Sequence, residues 1–189
     1  MGRIVVSENI SIDGVMQGPM GDEGIRFGGW FTRLGDRDRE QWAKVETEEA
    51  LGAAALLLGR RSYEFFAARW PSRTGEWADR LNGMPKYVVS TTLDDPGWQN
   101  TTVLDGDVLD AIAKLKQTVD GEIVVYASSH LVPTLMEHDL VDELRLMICP
   151  FVLGGGRRAF GETTHTKPMR LVETRAVGDT LIQLTYRAD

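Results

Sequence analysis

The stretch that most constrains this chain is residues 121–160, GEIVVYASSHLVPTLMEHDLVDELRLMICPFVLGGGRRAF. Ile123, Val124, Val125 and Tyr126 form an apolar, β-branched run of the length of a buried central strand. The run stops at Ala127-Ser128-Ser129, small residues that let a backbone or a ligand come close. Leu131, Val132, Leu135 and Met136 then repeat at helical spacing, and after a polar break a long apolar strand is predicted over 144–152. A strand that ends in a small-residue turn and feeds a helix presents free N–H groups and the positive end of the helix dipole. That geometry suits a phosphate.

The rest of the chain alternates in the same way. Strands are predicted over 3–10, 53–58, 87–89 and 101–104, and helices over 36–51, 63–70 and 108–117, the last with Asp107 as its N-cap. A helical turn or two is expected over 75–81. Residues 171–174 and 181–186 read as two strands joined around Gly178-Asp179, a hairpin signal. The fold expected is α/β: a single-domain, mixed, mostly parallel sheet flanked by helices, with a C-terminal antiparallel hairpin. Residues 15–35 are rich in glycine and show no sustained period, so they read as a long loop, either a functional lid or a surface loop whose aromatics Phe27, Trp30 and Phe31 cap the core.

Composition narrows the partners. At 189 residues the chain fits one domain, 1–189, and a domain of this size buries about 70% of its unfolded surface without a staple. The single Cys149 lies in an apolar run and is expected to be an inert strand residue in a reducing cytoplasm. A net charge of −7 with both signs interspersed offers no basic stripe for nucleic acid. No segment approaches the roughly 18 consecutive apolar residues of a membrane span, and the first apolar run is too short for a signal peptide. The expectation is an untargeted cytoplasmic protein with a small-molecule partner.

Three predicted strands end in polar residues: Leu58 runs into Gly59-Arg60-Arg61-Ser62, Val89 into Ser90-Thr91-Thr92, and Tyr126 into Ala127-Ser128-Ser129-His130. In open α/β sheets ligands bind beyond the carboxyl ends of strands, so the three ends would line one crevice. Arg60 and Arg61 suit a phosphate, because guanidinium groups make charge-assisted forked bonds; the alternative is that they are solvated helix surface. No G-x-G-x-x-G, Walker sequence or G-x-S-x-G elbow is present. His130, His138 and His165 have no spacing that suggests a metal site. Gly154-Gly155-Gly156-Arg157-Arg158 reads equally as an anion cradle or as a corner that needs positive φ.

Four ordered blocks carry a resemblance to a known family: Ser11-Ile12-Asp13-Gly14; Leu56-Leu57-Leu58-Gly59-Arg60-Arg61-Ser62-Tyr63-Glu64; Pro85-Lys86-Tyr87-Val88-Val89-Ser90-Thr91-Thr92; and Leu140-Val141-Asp142-Glu143-Leu144 followed by Pro150 and Leu153-Gly154-Gly155-Gly156. Together they resemble the RibD C-terminal-like reductases, which share the dihydrofolate reductase fold. The resemblance implies hydride transfer from NADPH to a pyrimidine- or pteridine-type substrate; in the riboflavin-pathway members this is 5-amino-6-(5-phosphoribosylamino)uracil. It implies that Gly59, Arg60, Arg61, Ser62, Ser90 and Thr91 meet the adenosine 2′-phosphate end. Ala127, Ser128, Ser129, His130 and Leu131 would hold the pyrophosphate, and Ile10, Ser11, Asp13 and Gly14 would border the nicotinamide and substrate. Where the family has glycine in the pyrophosphate turn, this chain has Ala127, Ser128 and Ser129.

Asp13 is the candidate for proton handling, or else a turn aspartate ahead of Gly14. The helix over 36–51 offers Asp36, Asp38, Glu46, Glu48 and Glu49 for the carboxylate that dihydrofolate reductases use, with no choice among them. Trp30 is the candidate stacking surface for a flat heterocycle. A homodimer is expected, through the 144–152 strand and the C-terminal hairpin. The reading from another class is a non-catalytic nucleotide or small-molecule binding module on the same fold.

Overall fold

Consecutive β-branched and apolar residues favour a strand buried on both faces; Ile4–Val6 of β1 (Arg3–Ser11) and Ile123–Tyr126 of β5 (Glu122–Tyr126) are such runs at the sheet centre. The computed structural model describes residues 1–21 and 24–189; Asp22 and Glu23, part of the loop expected over 15–35, lie outside the described residues. The elements between are α1 (Asp36–Gly52), β2 (Ala53–Gly59), α2 (Arg60–Ala67), α3 (Glu76–Gly83), β3 (Lys86–Val89), β4 (Thr101–Leu104) and α4 (Val108–Thr118). After β5 come α5 (Leu131–Glu137), β6 (Glu143–Cys149), β7 (Met169–Val177) and β8 (Leu181–Ala188).

The strands form one sheet in the order β4-β3-β2-β5-β1-β6-β8-β7. The first six are parallel to their neighbours, while β8 runs antiparallel to both β6 and β7. Side chains alternate across β1: Ile4 and Val6 pack with Ile112, Leu115 and Leu135 of α4 and α5, and Val5 packs with Ala50, Ala78 and Leu81 of α1 and α3. Helices therefore cover both faces. The mixed, mostly parallel sheet and the C-terminal hairpin are as the sequence predicts.

Register decides where a ligand can enter. β1 pairs with β5 only as far as Ser7 opposite Tyr126, yet it continues beside β6 to Ser11 opposite Cys149. One edge of Glu8 to Ser11 is thus open where β5 turns away.

Several boundaries differ from expectation, two of them next to the candidate ligand edge. β6 stops at Cys149 rather than at residue 152, because Pro150 has no N–H to continue a ladder. α2 begins at Arg60 rather than at residue 63, directly off β2. The Gly59 N–H at that junction donates to the Ser128 hydroxyl 3.0 Å away, a tertiary contact that no local pattern encodes.

The C-terminal hairpin docks on the first turn of α1. Asp38 Oδ1 accepts the Asp179 and Thr180 N–H groups at 2.6 and 3.1 Å. Gly178, at φ 64°, leaves room for this: a Cβ there would lie 2.8 Å from the Asp38 Cα. The hydrogen bonds from Thr180 and Asp179, with Arg37 nearby, outweigh burial and lower the Asp38 pKa.

Candidate functional site

A cavity of about 310 Å³ opens beyond the ends of β3 and β4, lined by Arg60, Val89, Ser90, Thr91, Thr92, Leu104, Gly106 and Val108. Its apolar walls and single guanidinium suit a flat heterocycle carrying an anion. Arg60 is held at its mouth by Glu64, one helical turn on (Nε to Oε1, 2.7 Å), and by the Thr92 hydroxyl. The Ser90 hydroxyl accepts the Thr92 and Leu93 N–H groups at 3.2 and 3.1 Å, which shapes the turn and leaves Thr91 exposed on the wall.

The neighbouring strand end is built differently from a glycine turn. Ala127 and Ser128 both adopt left-handed backbone, φ 52° and 63°, at about 1 kcal/mol each for L-residues. Ser128 holds the strained conformation through three hydrogen bonds. Its N–H donates to the Ser62 hydroxyl (2.8 Å), its own hydroxyl donates to the Tyr126 carbonyl (3.0 Å), and that oxygen accepts the Gly59 N–H. The Leu131 and Val132 N–H groups close onto the Ser128 carbonyl at 2.7 and 3.0 Å. Leu131 itself is core, so it offers the site its backbone only.

Beyond this turn His130 stands exposed between two arginines. Arg61 Nη1 lies 3.2 Å from its Nε2, and Arg157 Nη1 lies 3.3 Å from its Nδ1. The two arginines expected together at one phosphate therefore part company: Arg60 faces the cavity, and Arg61 faces the 127–131 turn.

The end of β1 is tied down rather than free. Asp13 accepts the Ser11 hydroxyl at 2.7 Å and the Leu153 and Gly154 N–H groups at 3.0 and 2.8 Å. The Ser11 hydrogen bond first, then the two backbone donors, lower its pKa to about 2. Of the two readings of Asp13, these contacts favour the turn aspartate: its carboxylate clasps the end of β1 to the 153–154 corner. Ser11 is fully buried, its hydroxyl also accepting the Val15 N–H at 2.9 Å, so it is not a free substrate contact. Gly14 at φ 82° accepts the Ala159 N–H through its carbonyl (3.0 Å), and Ile10 packs in the core on the α5 side.

The expectation of Trp30 as a stacking surface is corrected. It is fully buried in a cluster with Phe31, Leu34, Val45, Met147 and Cys149, and its indole N–H donates to the Gln17 carbonyl at 2.9 Å. A ring with no exposed face cannot stack on a ligand; it anchors the first loop to the sheet.

Three buried carboxyl groups surround the open half of β1. Glu8, between Ser7 and Asn9 on β1, is 4% exposed, and its Oε1 has no partner. On the opposite face, Trp42 of α1 donates its indole N–H to Asn9 Oδ1 at 2.8 Å, which brings the next turns of α1 against β1. There Glu46 and Glu49 are buried. Burial first, then like charge among the three, pushes Glu8 and Glu46 well above the ordinary carboxyl range. Burial also raises Glu49 against the opposing pull of Arg145, which bonds its Oε2 at 3.0 Å. The remaining α1 acids are used elsewhere: Asp36, Glu40 and Glu48 are exposed and paired with Arg39, Lys44 and Arg175, and Asp38 holds the hairpin. Only Glu46 and Glu49 face the strand. Glu8 was missed in the sequence because an acid inside a strand normally marks a solvated edge.

Residues 3–183 match the model of the RibD C-terminal domain. The chain belongs to the RibD C-terminal domain family. Its structure resembles a Shewanella sp. PV-4 protein assigned provisionally to riboflavin biosynthesis, with TM-score 0.72, 19% identity and 99% of each chain covered. It also resembles dihydrofolate reductase from Enterococcus faecalis, complexed with NADP(H) and RAB-propyl, with TM-score 0.62, 15% identity and 99% and 96% of the two chains covered. In sequence it is 28% identical over 136 residues to the Bacillus subtilis (strain 168) protein YyaP, itself uncharacterized, covering 69% of this chain and 72% of that one.

In this RibD C-terminal domain the residues present fit a dinucleotide phosphate. The 310 Å³ cavity beside Arg60 is within the size range of ligand sites, and the first N–H groups of α2 have no intrahelical partner. One donor is already taken, the Gly59 N–H that Ser128 holds. Of the expected site residues, Gly59, Arg61, Ser62 and 127–131 gather at one place, and Arg60, Ser90 and Thr91 at the adjoining cavity.

Proposed function

We propose that this protein is an NADPH-dependent reductase that acts on a pyrimidine- or pteridine-type small molecule. The observation that carries the reading is the cavity at the ends of β3 and β4, where Arg60, Ser90, Thr91 and Thr92 edge an apolar slot. Arg60 and the hydroxyls would hold the adenosine 2′-phosphate, and Arg61 with the 127–131 turn would hold the pyrophosphate. When bound, the nicotinamide supplies hydride.

The chain's own work is positioning and proton supply. The edge of β1 from Glu8 to Ser11, which β5 leaves unpaired, would border the reacting rings between α1 and α5. Burial first, then the charge of Glu49, raises the Glu46 carboxyl well above the ordinary range, so it is the group we assign to deliver a proton as charge develops on the acceptor.

Titration of NADPH and NADH against R60A and R61A tests the cofactor assignment. R60A should lose the preference for NADPH over NADH by about tenfold or more, equivalent to one charge-assisted contact. R61A should weaken both nucleotides alike. An unchanged preference in R60A overturns the assignment. The Ser128–Gly59 contact favours a second reading, a binding module without turnover. NADPH that quenches tryptophan fluorescence yet is oxidised by no pterin or pyrimidine acceptor would select it.

A further inference from the structure

The connection from β6 to β7 launches Arg157 from a fixed point. Its carbonyl accepts the Met16 and Gln17 N–H groups at 3.0 and 3.3 Å, and its N–H donates to Gln17 Oε1 at 2.9 Å. From this anchor on the first loop the side chain reaches across to His130, which Arg61 of α2 approaches from the other side. Three basic groups from three separate elements thus converge, and among the described residues none of the three is ion-paired to a carboxylate.

The contact is also chemically unbalanced. A guanidinium can only donate, and a neutral imidazole accepts at one ring nitrogen while the other carries hydrogen. With an arginine on each nitrogen, one contact must set N–H against N–H; in the protonated ring both do. An acceptor placed among the three would satisfy every donor, and its negative charge would favour the imidazolium. The charged groups that face His130 are Arg157 and Arg61; burial first, then these two, lower its pKa from the usual histidine value.

We propose that Arg61, His130 and Arg157 form a proton-linked clamp that takes an anion of the phosphate class among the three side chains, His130 binding a proton as the anion enters. This rests on the reductase reading only for the source of the anion, which would be the cofactor's pyrophosphate. Because the Arg157 backbone is bonded to the first loop and its side chain reaches the start of α5, the anion would also link those two segments.

Sulfate tests the clamp without nucleotide, because its charge does not change between pH 5 and 8. The chain has three histidines, so ring carbon-bound proton signals can be followed by NMR and His130 assigned with H130Q. In chloride His130 should titrate below the ordinary value of about 6.5, and saturating sulfate should move its midpoint upward. R61A and R157A should each weaken sulfate about tenfold, the loss expected for one charge-assisted bond. H130Q should bind sulfate with affinity independent of pH. A His130 midpoint that sulfate does not move, or R157A binding sulfate as tightly as the parent, overturns the proposal. All three side chains are exposed, so these variants should fold. Competition between sulfate and NADPH supports a cofactor pyrophosphate as the natural occupant; simultaneous binding supports a substrate phosphate in the same clamp. Sulfate binding without any NADPH binding would leave the clamp standing and remove the reductase reading.

Discussion

The Ser128 hydroxyl oxygen accepts the Gly59 backbone N–H at 3.0 Å, across the gap between the ends of β5 and β2. A side chain thereby occupies a donor that a phosphate would otherwise meet, and Ser128 does so at φ 63°, a conformation that favours glycine. S128G should free the Gly59 N–H and tighten NADPH by about tenfold, one charge-assisted bond. Relief of left-handed strain and loss of two side-chain hydrogen bonds nearly offset, so stability should stay within about 1 kcal/mol of the parent. Fluorescence titration with urea unfolding checks both; unchanged or weaker affinity would show that Gly59 is not a phosphate donor.

Asp13 and Glu46 should separate cleanly in a pH profile. Asp13 is ionised down to about pH 2, so D13N should leave the shape of kcat/KM against pH unchanged above pH 5. Its contribution to stability is present above the unfolded value of 3.8 and is lost as pH falls toward 2. E46Q should remove the basic-limb decline of the profile, since the raised carboxyl is the acid, and lower kcat by about 10²-fold or more. A profile altered by D13N and untouched by E46Q would reverse the assignment.

Glu8 should make stability depend on pH in the direction opposite to a paired carboxylate. Its folded pKa lies above 4.5, so above that pH the unfolded chain releases a proton that the folded one retains. Stability therefore falls as pH rises from 4.5 through the folded value. E8Q should be neutral near pH 4.5 and stabilising by about 1 kcal/mol at pH 7 to 8. Chemical denaturation across that range is the measurement, and a gain that shrinks with rising pH would contradict the burial seen at Glu8.

Arg145 holds four carboxyl oxygens together under the sheet: Glu49 Oε2 at 3.0 Å, both Glu122 oxygens at 2.9 Å, and Glu143 Oε1. Those attractions outweigh the cost of burying the guanidinium and keep it charged. R145M should destabilise by about 3–5 kcal/mol, because Glu49 is left buried without its counter-ion and Glu143 keeps only Arg187 and Arg3. The midpoint of urea unfolding reports it; a loss under about 1 kcal/mol would mean that these carboxyls find other partners or protonate.

Cys149 is fully buried, and burial first, then Asp38 and Glu46, push its thiol up to about 12. A disulfide reagent should label it only after denaturant is added. Labelling of the native protein at the rate of a free thiol would indicate local opening of β6.

Much of the site was readable before folding, for a physical reason that differs from residue to residue. Asp107 was readable as a cap because it accepts the Leu109 and Asp110 N–H groups within its own turn, at 2.9 and 3.0 Å. Ser90 and Thr91 were readable as a strand end because a short apolar run must end where its sheet partner does. Trp30 departs from the expected stacking surface because an aromatic in a glycine-rich loop carries no local sign of which face it will bury. Asp13 had two local readings, and the choice depended on N–H groups 140 and 141 residues away.

By itself the sequence determined the alternation of strands and helices, the three polar strand ends and the C-terminal hairpin, since periodicity, capping and proline act within a few residues of where they are written. Only the tertiary structure decided that Arg60 and Arg61 serve different places, that Glu46 and Glu49 rather than Asp36, Asp38 or Glu48 face β1, and that Ser128 closes on Gly59. Those outcomes depend on desolvation and on partners brought together from 32 to 142 residues apart, and neither is encoded locally.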